Sequence, residues 1–135
     1  MNATAQGAAE QVPVQTIPLD VQTMRETALR VLGEGADALS MDDVESLIQA
    51  LRGMLRLLLP EVTAAANRHP KGDIPRVCAL LGVEEAERRL RTRHVPAASP
   101  WALRHARRFA RSVMALTDHY VNLSGLDSVN LGGQA

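Results

Sequence analysis

Asp118, His119 and Tyr120 form the only dense run of polar side chains on a predicted core helix. A histidine beside a carboxylate can act as a general base, and nucleophilic catalysis requires such a base next to the attacking group. The competing interpretation is a helix-end histidine bonded to a neighbour, and we favour it. We also predict that the single cysteine, Cys78, is a small buried hydrophobic residue and not a nucleophile. We therefore assign no catalytic residue, and an enzyme is the less favoured class.

The histidines and the cysteine do not have the spacing of a metal site. His105 and His119 are predicted on one helix and lie about 21 Å apart along its axis, at 1.5 Å per residue, so they cannot share an ion. Gly33 and Gly35 lack the Lys-Ser/Thr pair of a phosphate-binding loop. The remaining metal-ligand candidates are dispersed around loops and helix ends: His69, Cys78 and His94. We predict no metal and no cofactor.

The net charge is zero, from fifteen basic and fifteen acidic residues, and this excludes only a globally basic binder. The charges are segregated: residues 1–67 carry a net −5, residues 68–111 carry +7 and residues 112–135 carry −2. We predict a binding surface from two basic clusters. They are Arg88, Arg89, Arg91 and Arg93 with His94, and Arg104, Arg107, Arg108 and Arg111 with His105. Of these, Arg104, Arg108 and Arg111 share one predicted helix face, opposite Phe109 and Val113.

Three interpretations of this basic surface stay open. The favoured one is a solvated face that complements the acidic first half of the chain, within one molecule or across a dimer. The others are an acidic protein partner, and nucleic acid or another phosphate ligand, although no aromatic residues are interleaved for single-strand stacking. A helix-turn-helix with its turn at Gly82 is disfavoured, because Arg88 and Arg91 occupy positions where that motif needs apolar residues.

The elements that position these residues are predicted to be helical, with no strand-like alternation. We expect an all-α small bundle of four helices over residues 21–32, 41–68, 74–93 and 100–124, capped by Asp20, Ser40, Asp73 and Ser99. The second helix either kinks at Pro60 or restarts there, and the third is either continuous or broken at Gly82. The second and fourth helices are predicted to pack along each other.

Apolar residues at helical spacing define the predicted core. The fourth helix has the clearest stripe: Ala102, Ala106, Phe109, Val113, Leu116, Tyr120 and Leu123. The third is predicted to face inward with Ile74, Val77, Cys78, Leu81, Ala86 and Leu90. We expect one domain over residues 19–124, a disordered tail over 1–18 and a flexible tail over 125–135.

No targeting or membrane segment is visible in the sequence. Apolar runs such as Leu57-Leu58-Leu59 are far shorter than the ~20 residues of a membrane span, and no basic residue precedes Arg25. We expect a cytoplasmic protein without membrane contact. With only three aromatic residues and a kinked long helix, an apolar stripe is expected to stay open in a monomer, which favours a homo-oligomer or a protein partner.

Several stretches together resemble a small family from antibiotic-producing filamentous bacteria, catalogued as a domain of unknown function. They are Leu51-Arg52-Gly53 through Val62, Asp73-Ile74-Pro75-Arg76, Gly82 through Leu90, and His105 through Tyr120. Members of that family are labelled only as natural-product biosynthesis proteins, so the resemblance implies a context and no activity or site residue. The prediction is a non-catalytic accessory or regulatory protein that acts by protein binding; the alternative is a DNA-binding regulator.

Overall fold

The computed structural model describes residues 19–93, 95–96 and 98–125. Four α-helices follow one another: α1 (Val21–Leu32), α2 (Met41–Asn67), α3 (Ile74–Leu90) and α4 (Ala102–Ser124). A single 3₁₀ turn, Ala36–Ala38, lies between α1 and α2. The predicted all-α bundle is confirmed, and no strand occurs within these described ranges. The tails predicted over residues 1–18 and 125–135 lie outside the described residues, apart from Gly125.

Three of the four predicted helix caps are confirmed. The carboxylate of Asp20 accepts a hydrogen bond from the Thr23 amide at 3.1 Å, and the hydroxyl of Ser40 accepts one from the Asp43 amide at 3.0 Å. Asp73 caps α3 in the same way, through the amide of Arg76 at 3.4 Å. Each side chain satisfies one of the amides that the first turn of a helix leaves without a partner.

The predicted start of the fourth helix is wrong by two residues. Its N-cap is Trp101, and the helix begins at Ala102. The hydroxyl of Ser99 accepts a hydrogen bond from the Trp101 amide at 3.1 Å, and the Ser99 carbonyl accepts one from the Ala102 amide at 3.0 Å. Ser99 therefore closes a tight turn before the helix, and Pro100 lies in that turn.

The long helix α2 is unbroken across Pro60, so of the two predicted outcomes the restart is wrong. An interior proline leaves the carbonyl four residues earlier, that of Arg56, without its intrahelical partner. Both Pro60 and Arg56 are exposed, so water can bind this carbonyl. Leu58 and Val62, on either side of Pro60, are fully buried and hold the helix in the core. A kink at Pro60 stays a prediction.

Helix α4 is the central element of the bundle. It packs along α2, as predicted, and also along α1 and α3. The predicted stripe is confirmed: Ala102, Ala106, Phe109, Val113, Leu116 and Leu123 are buried, and Tyr120 is half-buried. On the opposite side, Arg104, Arg108 and Arg111 are exposed. The strong amphipathic pattern therefore fixes which arginines of α4 reach solvent.

The predicted inward face of α3 is confirmed for Ala86, which is buried, and for Leu90, which packs against the core, but it is wrong for the other four residues. Ile74, Val77 and Leu81 have exposed fractions of 73%, 46% and 59%, and Cys78 is exposed as well. The residues that enter the core are the smaller Ala79, Val83 and Ala86. The helix also continues through Gly82 without a break and ends at Leu90, three residues before the predicted end.

Close packing explains why α3 turns its small residues inward. A Cβ atom on Gly82 would lie 3.3 Å from Cδ2 of His119 and 3.5 Å from Cδ2 of Leu116, both on α4. Larger side chains on this face would separate the two helices. The bundle thus selects the face of α3 by size, although its larger apolar residues lie on the other side.

Candidate functional site

The two predicted arginine clusters meet at one end of the bundle, where α3 ends and α4 begins. Arg89, Thr92, His105, Arg108 and Phe109 line a small cavity of about 30 Å³. A second cavity of about 230 Å³ shares His105 and Arg108 with the first and is completed by Val95, Trp101 and Arg104. We call these two adjoining cavities the arginine cleft. His94, predicted as part of this region, lies outside the described residues.

Arg89 holds α3 and α4 together. Its Nε donates a hydrogen bond to Oγ of Ser112 at 3.0 Å, and its Nη2 pairs with Glu85 at 2.7 Å. Ser112 is buried, and its hydroxyl would otherwise have few partners. The guanidinium therefore has a structural role at the floor of the arginine cleft.

Arg107 also has a structural role, because it points away from the cleft towards the end of α1. Its Nε donates to the carbonyl of Val31 at 2.9 Å, and its Nη2 lies 3.5 Å from Oδ1 of Asp37. The carbonyls at the end of a helix lack intrahelical partners, so Arg107 supplies one. Within the described residues, this is the one ion pair that joins the predicted binding surface to the acidic first half of the chain.

The other six predicted arginines are exposed, and we call them the arginine surface: Arg88, Arg91, Arg93, Arg104, Arg108 and Arg111. None of them forms an ion pair in the described part of the chain. The guanidinium of Arg104 lies 4.7 Å from the ring centroid of Trp101, whose exposed fraction is 57%. This stacked pair lines one side of the cleft, and much of Trp101 stays open to solvent.

Arg52 lies behind the arginine cleft, against Phe109, and the sequence did not predict it there. Its guanidinium lies 5.2 Å from the centroid of the Phe109 ring, and its Nη2 donates to the carbonyl of Leu90 at 2.9 Å. The ring of His105 meets the same Phe109 edge-on at a centroid distance of 4.9 Å. Arg52 thus adds positive charge beneath the cleft and stabilises the C-terminal end of α3. A single arginine between apolar turns of α2 gives no signal of this tertiary contact.

His119 and Cys78 are apart from the arginine cleft. His119 is half-buried against Gly82, and burial lowers the pKa of its imidazole, with a smaller opposing effect from Asp118. The predicted hydrogen bond to a neighbour is not formed within the described residues, because the ring packs against α3. Cys78 lies on the outer face of α3, so the prediction that it is buried is wrong.

Several ordinary sites are not formed by the described residues. No three His, Cys, Asp or Glu side chains in these ranges come close enough to hold a metal ion. Among the same residues, no helix has both the length and the apolarity to cross a membrane. What the cleft does offer is guanidinium groups, each with several donors in a planar fork, beside one exposed indole. This arrangement suits carboxylate or phosphate oxygens next to an apolar group.

Comparison with known proteins identifies a family. Residues 22–125 match the family of unknown function DUF6415, and the chain belongs to that family. The match covers all four helices, including both walls of the arginine cleft. No curated protein and no solved structure matched the chain.

Proposed function

We propose that this member of the DUF6415 family is a non-catalytic binding protein that uses its arginine surface to capture an acidic segment of a partner protein. We further propose that it acts in the cytoplasm, as an accessory or regulatory component of natural-product biosynthesis. The observation that carries the binding proposal is the set of six exposed arginines without acidic partners in the described residues, two of which, Arg104 and Arg108, line a cleft with an exposed tryptophan.

The composition of the cleft favours a protein ligand over a simple anion. Arginine and tryptophan are the residues most enriched among those that dominate the energy of protein interfaces. Trp101 and Val95 offer apolar area, while Arg104 and Arg108 offer charged donors to the same ligand. An extended segment with acidic and apolar side chains would use both.

The positions of the unpaired charges support an external partner. If the acidic first half of the chain neutralised the arginines, ion pairs would connect the two within one molecule. Asp37 makes one such contact, with Arg107 at 3.5 Å, and Arg107 points away from the cleft. The exposed arginines of α4, namely Arg104, Arg108 and Arg111, have no such contact in the described residues.

A peptide titration tests the binding proposal. The probe is a labelled peptide of alternating glutamate and leucine, and the control is the same peptide with lysine in place of glutamate. We expect the acidic peptide alone to bind and to change the fluorescence of Trp101, the only tryptophan in the chain. Absence of binding by the acidic peptide at low salt would contradict the proposal.

Matched variants locate the binding site. Combined replacement of Arg104, Arg108 and Arg111 by alanine is expected to weaken binding about tenfold, since three exposed ion pairs at ~0.5 kcal/mol each are lost. The control replaces three other exposed arginines, Arg30, Arg56 and Arg68, and removes the same net charge elsewhere. Equal loss of affinity in the two triple variants would show a response to net charge, with no specific site.

The alternative function is a DNA-binding regulator that uses the same arginine surface. Unpaired arginines near the end of α3 and along α4 are the observation that favours it, because phosphate contacts supply affinity. Against it, α3 is continuous through Gly82, so the helix-turn-helix turn considered there is not formed. Binding is measured as a change in the electrophoretic mobility of duplex DNA. A mobility shift that weakens with salt and is lost in the Arg104, Arg108 and Arg111 variant would support this function in place of peptide binding.

The biosynthetic context rests on the resemblance of residues 51–62, 73–76, 82–90 and 105–120 to proteins that carry that label. It is tested in a producing host by deletion of the gene and measurement of the metabolite. We expect lowered or deregulated production, restored by the parent protein and by the Arg30, Arg56 and Arg68 variant. The Arg104, Arg108 and Arg111 variant should not restore it, and unchanged production after deletion would contradict this role.

A further inference from the structure

Helix α3 presents an apolar stripe to solvent. Ile74, Val77, Cys78 and Leu81 follow one another at helical spacing, and all four are exposed, with Ile74 at 73% and Leu81 at 59%. The stripe lies opposite the buried face of Ala79, Val83 and Ala86. Isolated exposed apolar residues are ordinary, but a contiguous stripe on one helix marks an interaction surface.

The stripe has the symmetry that a contact between two identical helices requires. At 100° per residue, Ile74 and Leu81 lie close to one line along the helix, and Val77 and Cys78 lie on either side of that line, near its midpoint. In an antiparallel pair related by a two-fold axis, the patch on one copy must be complementary to the same patch on the other copy. Ile74 would then contact Leu81 of a second copy, and Val77 and Cys78 would each contact their own equivalents.

The charges at the two ends of the stripe are complementary in this arrangement. Lys71 lies seven residues before Cys78, and Glu85 lies seven residues after it, with Glu84 beside it. All three are exposed. In an antiparallel pair the turn that carries Lys71, just before α3, comes near Glu84 and Glu85 of the other copy, whereas a parallel pair would place like charges together. Glu85 already accepts from Arg89, and a carboxylate has room for a second donor.

We propose that a second copy of this chain covers the outer face of α3, in an antiparallel helix pair centred between Val77 and Cys78. The patch is one helix face, so the buried area falls at the small end of specific interfaces, and the dimer dissociates on dilution. This contact leaves the arginine cleft open, because the cleft is formed by Arg89 at the end of α3, by the chain that follows and by α4. The proposal is independent of the peptide-binding function.

Cys78 provides a direct readout of the geometry. Two packed helices are 8–10 Å apart, with Cα atoms about 2.3 Å from each axis, so the two Cys78 Cα atoms would lie about 6 Å apart. That separation allows a disulfide. Diamide, which removes one hydrogen from each thiol, should therefore cross-link the protein rapidly. The chain has no other cysteine, so any covalent dimer joins Cys78 to Cys78.

Sedimentation and cross-linking test the proposal together. The mass is expected to rise with concentration from 14.6 kDa towards twice that value, with a diamide-linked dimer over the same range. Leu81→Glu should lose both signals, while the control Leu29→Glu, at an exposed leucine of α1, should keep both. Circular dichroism confirms that each variant is folded.

A charge exchange tests the antiparallel orientation. Lys71→Glu or Glu85→Lys alone should weaken association, and the two together should restore it. If the parent protein stays monomeric at all concentrations, the proposal is overturned. This holds even if a different protein is found to cover the outer face of α3. Cross-linking of Leu81→Glu at the rate of the parent also overturns it, since it would show chance collision between exposed thiols.

Discussion

Nε of Arg89, near the end of α3, donates a hydrogen bond to the buried Oγ of Ser112 on α4 at 3.0 Å. Its neighbour Arg88 is exposed and makes no such contact among the described residues. Two adjacent arginines with the same side chain thus have different roles, one in holding the bundle and one in presenting charge. The difference follows from helix geometry, because each residue advances the side chain by 100°.

Replacement of Arg89 by alanine should lower the free energy of unfolding by about 1–2 kcal/mol, because it leaves the buried Ser112 hydroxyl without this partner. Arg88→Ala should change stability by less than about 0.5 kcal/mol, as is usual for an exposed residue without partners. Urea denaturation followed by circular dichroism measures both. Equal stability of the two variants would show that the Ser112 contact contributes nothing.

The two glycines within helices should respond differently to alanine. A Cβ on Gly53 would have no atom within 4 Å, so Gly53→Ala should stabilise the protein by about 1 kcal/mol through helix propensity. A Cβ on Gly82 would lie 3.3 Å from Cδ2 of His119, so Gly82→Ala should increase the free energy of unfolding by less than Gly53→Ala does. Gly82→Leu should destabilise by about 1–3 kcal/mol through overpacking. Thermal denaturation ranks the three variants, and a larger gain at Gly82 than at Gly53 would contradict the close approach of α3 to α4.

Acidification should destabilise the protein through His119. Burial lowers the pKa of this imidazole from its ordinary value of 6.5, so the unfolded chain binds the proton more readily than the folded chain does. Stability is therefore unaffected by this group well above pH 6.5 and falls as the pH drops through that value towards the lower folded pKa. His119→Gln removes the titrating group, so the parent should lose more stability than the variant between pH 8 and about pH 5.5. Parallel curves for the two proteins would refute this assignment.

The thiol of Cys78 should react at once with a thiol reagent in the folded protein, because the side chain is exposed. A buried cysteine would react only after unfolding. At high protein concentration the reaction should slow, since the second copy proposed for α3 covers the thiol. A rate that is slow at every concentration would contradict the exposed placement of α3.

The sequence predicted well those features that depend on local patterns. The bounds of α1 and the caps Asp20, Ser40 and Asp73 follow from short-range hydrogen bonding, and the α4 stripe follows from a strong apolar period. Each of these signals lies within one segment of the chain. They were sufficient for the fold class and for the number of helices.

The features that were predicted wrongly depend on contacts between segments of the chain. The inner face of α3 is chosen by how closely α4 approaches Gly82, and large apolar residues at helical spacing indicated the wrong side. The division of the predicted arginines into structural and exposed groups likewise depends on Ser112 for Arg89 and on the Val31 carbonyl for Arg107. No spacing rule within the arginine clusters carries that information.

Helix α3 ends at Leu90, whose carbonyl accepts a hydrogen bond from Arg52. The arginine surface therefore lies partly on helices and partly on the non-helical chain after α3. Arg104, Arg108 and Arg111 are held in register by a helix before any ligand arrives, while Arg91 and Arg93 follow the helix on non-helical chain. Arginines on a helix bind without a backbone ordering cost, whereas those on irregular chain lose backbone as well as side-chain entropy when they bind. The proposed partner should therefore be recognised chiefly along α4, with the arginines beyond α3 adapting to its shape afterwards.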